Sequence, residues 1–400
     1  MNLEKIVGLS KEIEKDLIAL RHDIHAHPEL GWKEVETSKK IESLLEGLGC
    51  ENIKRGFGGT GSGVVADIAG SLPGPCVALR ADIDALPIQE ANDVPYASTV
   101  DGVMHACGHD AHAAILIGAA RILSAMKDSI PGRVRLIFQP AEETGIRSGA
   151  PKLIEEGVLD GVSAIGGLHV MSEHPAGVLG IKKGPLMASA DIWEVAIQGQ
   201  GGHGAMPHKS IDPTIAASYI ISMLQTVVSR EINPLESVVI SVGKVETGSA
   251  PNVIPDKALI TGNVRTTDRN TRSEMESRMG RIIKGVSDAL RCASVLTYTQ
   301  IYGVTVNDPE LTELMVDTAT DLLGEKNIKE IPIAMGSEDF SYYGEKIPAV
   351  FAMLGINDPA KGTDKPHHSP HFNAGDDQLA RGAALLAGFA LNYLSKHGEA

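Results

Sequence analysis

Short apolar runs alternate with segments of helical periodicity along most of the chain, and that alternation constrains the fold more than any other feature. Val64-Val65-Ala66 and Val77-Ala78-Leu79 follow the Gly-rich turn Gly56–Gly63 and read as buried strands. Val134–Phe138 and Ala164–Leu168 read the same way, and Ala111–Met126 between them has the length and pattern of a helix. Upstream, Leu3–Leu48 reads as two helices broken at His27-Pro28, with Ile13, Leu17, Leu20 and Ile24 at helical spacing. Strands that alternate with helices predict an α/β fold with a mostly parallel or mixed sheet covered on both faces.

The pattern changes near Gly184-Pro185. Ile192–Ile197 alternates as a half-exposed strand does. A helix (Asp212–Val228), strands near Val238–Val245 and Ala258–Val264, a helix (Thr271–Ala289) and a strand near Ser294–Tyr298 follow. That β-α-β-β-α-β order is the split pattern of a small ferredoxin-like domain. Beyond Tyr302 the first pattern resumes, with helix Pro309–Leu323, strand Val350–Leu354 and helix Asp377–Ser395. The expected architecture is an α/β domain in two parts, residues 1–185 and 303–400, with an inserted ferredoxin-like α+β domain at 186–302.

Charge and composition narrow the function. Asp and Glu number 51 against 36 Lys and Arg, a formal net charge of −15, which disfavours polyanions, so neither nucleic acid nor an anionic membrane is an expected partner. Aromatic residues make up 4% of the chain, too few for a base-stacking platform. No stretch approaches the roughly 20 apolar residues of a membrane span. The charged start MNLEKIVGLSKEIEKDL does not read as a secretion signal, so the expected location is cytoplasmic. Cys50, Cys76, Cys107 and Cys292 have no disulfide-framework spacing.

Five clusters carry residue types that bind metal or move protons. Met104–His112 places Cys107 and His109 two apart at the start of a helix; thiolate and imidazole suit zinc, and a helix amino terminus lowers a thiol's pKa. Gln139-Pro140-Ala141-Glu142-Glu143 leaves a buried strand at the sheet mouth, where open α/β folds place ligand sites. One carboxylate of such a pair can bind metal while the other moves a proton. His169 follows the run Ala164–Leu168, at what reads as the strand's far end. Lys365–His371 holds three histidines. Asp82-Ile83-Asp84 lies past the strand Val77–Leu79, where only one aspartate need face a site; Asp84 is placed to bond a ligand histidine's second nitrogen. Together they supply enough ligands for two ions. Two G-x-G-x-x-G matches, at Gly56–Gly61 and Gly199–Gly204, lack the strand–motif–helix context of a dinucleotide site.

These clusters, with His25–Glu34, Leu79–Ile88, Gly201–His208, Pro251–Asp256, Gly262–Thr266, Gly336–Tyr343 and His367–Phe372, make the chain resemble, nearly end to end, the amidohydrolase branch of the aminoacylase/carboxypeptidase metallopeptidase family. That branch includes hippurate hydrolases, N-acyl-amino-acid amidohydrolases and auxin-conjugate hydrolases. The resemblance implies a dinuclear-metal α/β domain and an inserted ferredoxin-like lid that commonly forms a dimer interface. It implies two divalent ions (zinc, manganese or cobalt), with Cys107 bridging and His109, Glu143, His169 and His368 as the other ligands. His368 is preferred to His367 and His371 because it fills the histidine of the family's H-S-P. Wider family members have His-x-Asp where this chain has Asp82-Ile83-Asp84, and a bridging aspartate near Cys107.

Glu142 matches the family's general base and Asp84 its orienting aspartate. His203 is similar to the lid histidine that reaches a neighbouring subunit's site to stabilise the oxyanion. Asn252 and Arg265 look like the contacts to the substrate carboxylate. The implied reaction is hydrolysis of N-acyl or N-aroyl L-amino acids by metal-activated water, in a homo-oligomer (dimer or tetramer). A dipeptidase or carboxypeptidase is the alternative within the family. Thiol catalysis by Cys107 with His109 or His169 as base, and a non-catalytic metal-dependent binding protein, are the alternatives outside it.

Overall fold

The apolar runs fold into one eight-stranded mixed sheet. Across it the strands run Glu51–Arg55, Val64–Ala69, Pro131–Gln139, Leu72–Asp82, Ala164–Pro175, Ala349–Asn357, Leu179–Ile181 and Ile328–Glu330. The four from Pro131–Gln139 to Ala349–Asn357 are parallel, and the two on the Glu51 side pair antiparallel. Val77, Val134, Ala164 and Val350, which line these strands, are essentially inaccessible, as expected where helices cover the faces. The computed structural model describes residues 2–398.

Two compact units divide the chain. The first (Met1–Leu186, Val306–Pro332 and Asp339–Ala400) contains the large sheet. Helices Leu3–Ala26, His109–Ser124 and Leu379–His397 pack on one another, and the last two also lie on strand Leu72–Asp82. Helix Pro309–Leu323 shows how sequence sets its own bounds. Asp308 caps it by accepting from the N–H groups of Glu310 and Leu311, Pro309 opens it, and Gly324 closes it at φ 84°.

The first helix is anchored by buried charge. Arg21 donates to Asp110 Oδ2 at 2.9 Å, to Asp376 at 2.8 Å and to Asn373 at 2.8 Å. His25 joins the same Asp110 oxygen at 2.9 Å and Glu90 at 3.1 Å. Asp110 lies in the first turn of helix His109–Ser124, so this network fixes where that helix begins.

The second unit, Met187–Thr305 with Ile333–Glu338, is a four-stranded antiparallel sheet under two helices. Its elements follow as Ala190–Gln198, helix Pro213–Thr226, Val238–Thr247, Lys257–Thr266, helix Arg269–Ala289 and Ala293–Tyr302, and the third strand pairs with both the first and the second. Trp193, Val195 and Ile197 pack inward with Ile220, Leu224, Met275 and Met279. The short segment Ile333–Glu338 was expected with the α/β part; it clusters with the second unit, where Ala334 bridges Met187. No helix among the described residues is long and apolar enough to cross a membrane.

Candidate metal centre

Neighbouring parallel strands end together at the site. Asp82, the last residue of its strand, is paired with Gln139, the last residue of the next. The chains leaving them carry Asp84 on one side and Glu142-Glu143 on the other. Asp84 ties these to the helix start: Oδ1 lies 3.1 Å from His109 Nδ1 and Oδ2 accepts the Glu143 N–H at 2.9 Å. Ala141, ahead of the two glutamates, has φ 58°, and its N–H donates to Glu34 Oε1 at 2.8 Å. A left-handed non-glycine residue is held there by its surroundings.

Cys107 and His109 flank Gly108, the helix N-cap, at φ 89°. A Cβ on Gly108 would sit 2.4 Å from Val170 Cγ2, so both the backbone and the space require glycine. His368 also has a left-handed backbone, φ 61°; its N–H donates to the Ala106 carbonyl at 2.9 Å, and its Nε2 reaches Glu143 Oε1 at 3.0 Å.

Donor atoms of Cys107, His109 and His169 lie within 4.8 Å of one another, as do those of Cys107, Glu143 and His368. Cys107 belongs to both groups. His109, Glu142 and Glu143 form a third. The residues fit divalent cations: with Nδ1 held by Asp84, His109 Nε2 is buried without a hydrogen-bond partner, the state in which imidazole coordinates metal. Sulfur, nitrogen and carboxylate ligands together suit zinc, manganese or cobalt.

The local field favours cations as well. Burial, then Glu143, Glu142 and Asp82, push the Cys107 thiol well above its ordinary range, the reverse of the lowering expected from the helix start. Burial and these three carboxylates outweigh the helix terminus, so a thiolate here needs a positive ion. Burial opposes charge on His109, yet Asp82 and Asp84 raise it to about 10, a proton answering the same field. His169 is held neutral by burial and by His112 and His367.

Two sequence expectations change in the fold. His169 does not end its strand, which continues to Pro175 because its ladder with Ala349–Asn357 extends past it. The ladder on the other flank stops at Arg80–Gly167, two residues short of His169, so that flank lies beyond the pairing with Leu72–Asp82. Asp82 belongs to its strand, and both aspartates of Asp82-Ile83-Asp84 face histidines: Asp82 Oδ1 lies 2.5 Å from His112 Nδ1.

His367 Nε2 is directed to the Val170 carbonyl at 2.9 Å, and His371 is exposed, so His368 alone of the three joins a ligand group. His203, Asn252 and Arg265 lie in the second unit. His203 pairs with Val253, and Gly204 N–H donates to the Asn252 carbonyl at 2.9 Å. Arg265 is half-buried and donates to Ser337 Oγ at 2.8 Å.

Several residues at the site escaped the sequence reading. Arg80 is fully buried and donates to Gln139 Oε1 (2.9 Å), Asp82 Oδ2 (2.5 Å) and Asp339 Oδ1 (2.7 Å), while Tyr343 joins Gln139 at 3.0 Å. Glu34 is buried against Asp84, and burial with that neighbour raises it to about 8. A signal was present: Arg80 and Gln139 interrupt otherwise apolar strands, and His112 lies one helical turn from His109.

The profile of the peptidase family M20/M25/M40 matches residues 78–392. The chain belongs to this family. A thermostable carboxypeptidase of Saccharolobus solfataricus is 40% identical over 395 residues, 98% of this chain and 99% of that protein. N-acetylcysteine deacetylase of Bacillus subtilis is 42% identical over 386 residues, 95% of this chain and 97% of its own. A Bacillus subtilis crystal structure, described as a dinuclear metal-binding peptidase of the M20 family, matches with a TM-score of 0.84 at 39% identity, covering 96% of this chain and 99% of that one. As a member of the M20 family the protein is a metallohydrolase of the amidohydrolase and peptidase type. The ligand groups joined at Cys107 accord with the dinuclear character of that relative.

Proposed function

We propose that the protein hydrolyses N-acyl or N-aroyl L-amino acids to a carboxylate and a free amino acid. The observation that carries this reading is Cys107, shared by two ligand groups, with the buried Glu142 beside them. Cys107, His109, Glu143, His169 and His368 would hold two divalent ions, which when bound polarise the amide carbonyl and acidify water. Glu142 takes the proton of the attacking water and returns it to the leaving amine. Its backbone is fixed by Ala141 and Glu34, and the Asp339 N–H lies 3.4 Å from its Oε1. Asp84 orients His109.

The remaining assignments follow the resemblance. His203 Nδ1 accepts the Ala205 N–H at 3.1 Å, so its proton rests on Nε2, as an oxyanion donor requires. Arg265 forms no ion pair among the described residues, and its fork suits the substrate carboxylate, with Asn252 as second contact. Ile215, Tyr219 and Met223 form an exposed stripe at four-residue spacing on helix Pro213–Thr226, which supports a homo-oligomer. The four cysteines are free, as a reducing cytoplasm would keep them.

The deacetylase supports the acyl-amino-acid reading, and the carboxypeptidase supports peptide carboxyl termini as the alternative substrate. Amino-acid release from N-acetyl and N-benzoyl amino acids, dipeptides and longer peptides separates them, using metal-stripped protein with and without added zinc, manganese or cobalt. Metal-dependent release from acyl amino acids is expected. Release from peptides alone would replace the reading with its alternative, and release without metal would end both.

A further inference from the structure

Two histidines at the centre, the buried His112 and the half-buried His367, stand outside the ligand groups that share Cys107. Their hydrogen bonds converge on a single residue. The Val170 N–H donates to His112 Nε2 at 2.9 Å, and the Val170 carbonyl accepts from His169 Nδ1 at 2.6 Å and from His367 Nε2 at 2.9 Å.

These contacts place every proton. A backbone N–H can only donate, so His112 Nε2 is bare and its proton sits on Nδ1, facing Asp82 Oδ1 at 2.5 Å. The other Asp82 oxygen accepts from Arg80. A carbonyl can only accept, so His169 is protonated on Nδ1 and turns a bare Nε2 toward Cys107 Sγ, 3.5 Å away. The rings of His112 and His169 meet edge to face at 4.5 Å. Asp82, His109 and His112 also lie within 4.8 Å of one another, but both His112 nitrogens and both Asp82 oxygens are already engaged, so this trio is not a further ligand set.

We propose that Asp82 and His112 are positioning residues for the metal centre: through the backbone of Val170 they hold His169 in the Nδ1–H tautomer and present its Nε2 to a cation. The inference rests on His169 being a ligand in the function proposed above. Arg80 keeps Asp82 an acceptor, and Asp82 keeps the His112 proton on Nδ1. The order of contacts is Arg80, Asp82, His112, Val170, His169, and it lies wholly in the first unit. It adds a second orienting aspartate to Asp84, each serving a different ligand histidine.

Two substitutions separate the ends of the His112 ring. In His112→Gln the amide oxygen can stand near Nε2 and still accept the Val170 N–H. In His112→Asn the shorter amide can reach Asp82 but not Val170. Metal-free full-length protein carrying 15N-labelled histidine reports the His169 tautomer by long-range proton–nitrogen correlation, with His169→Gln identifying the signals. Manganese(II) titration by calorimetry reports both ion affinities.

The expected results are an Nδ1–H His169 and two bound ions for the wild type and near wild-type behaviour for His112→Gln. For His112→Asn we expect mixed tautomers and a roughly ten- to hundredfold loss at one ion. An unchanged His169 tautomer and unchanged affinities in His112→Asn would overturn the proposal. So would equal losses in both variants, which would mean that His112 only fills space. If the wild type releases no amino acid from acyl substrates while the tautomer and affinity pattern holds, the substrate reading falls and the positioning role stands.

Discussion

Glu142 and Glu143 are adjacent in sequence and are held by different partners. Glu143 donates its backbone N–H to Asp84 and lies against His368, in reach of Cys107. Glu142 is buried beside Asp339. Replacing Glu142 by Gln keeps the shape and removes the base: turnover should fall by about 10²–10⁴-fold with metal content intact by elemental analysis. Asp84 needs two acceptor oxygens, one for His109 Nδ1–H and one for the Glu143 N–H. Asp84→Asn presents an NH2 to one of these donors, so metal affinity should fall about ten- to hundredfold, read by the same calorimetric titration. Sequence order suggested Asp84 for this work; it could not show that the same side chain also fixes Glu143.

Among the elements, the strand ends and the first helix decide where ligands stand. Strands Leu72–Asp82 and Pro131–Gln139 end in register, so their exits open on one place. Helix Leu3–Ala26 contributes no ligand, yet Arg21 and His25 bind Asp110, next to His109. Burial works against charge on His25, but Asp110 and Glu90 raise it to about 9. Its pKa in the unfolded chain is near 6.5, so the stabilisation is complete below about pH 6.5 and is lost as pH rises through about 9. The contribution is of order 3 kcal/mol. Between pH 6.5 and 9 the melting temperature should therefore fall more steeply for the wild type than for His25→Gln. Parallel slopes would show that His25 is not charged in the fold. The pattern of apolar residues announced this helix; it carried nothing about the partners of Arg21 and His25, because Asp110 and Glu90 come from distant segments.

At the scale of the whole molecule, the first unit buries a cluster rich in carboxylate and thiol that calls for cations. Removing metal with a chelator should abolish hydrolysis and lower the melting temperature, and restoring it should reverse both. An ion supplied at a hundred times its dissociation constant adds about 2.7 kcal/mol to stability. A melting temperature indifferent to metal would mean that the ligand groups do not bind in the folded state. Activity and stability should return at the same metal concentration, because the same ions serve both.

The alternation of apolar runs and helices determined the α/β class, and the chemistry of Cys107, His109, Glu142 and Glu143 marked a metal centre before any fold was known. Those features are local, since strand burial and ligand type are properties of short segments. Tertiary structure alone decided the rest. His169 proved to lie within a strand because a partner strand over a hundred residues later extends the ladder past it. Asp82 and His112 became direct partners because a β-strand end and a helix face, thirty residues apart in sequence, meet in the fold. Ile333–Glu338 joined the second unit through a bridge to Met187. Hydrogen-bond partners are set by packing between distant segments, and no local pattern carries that information.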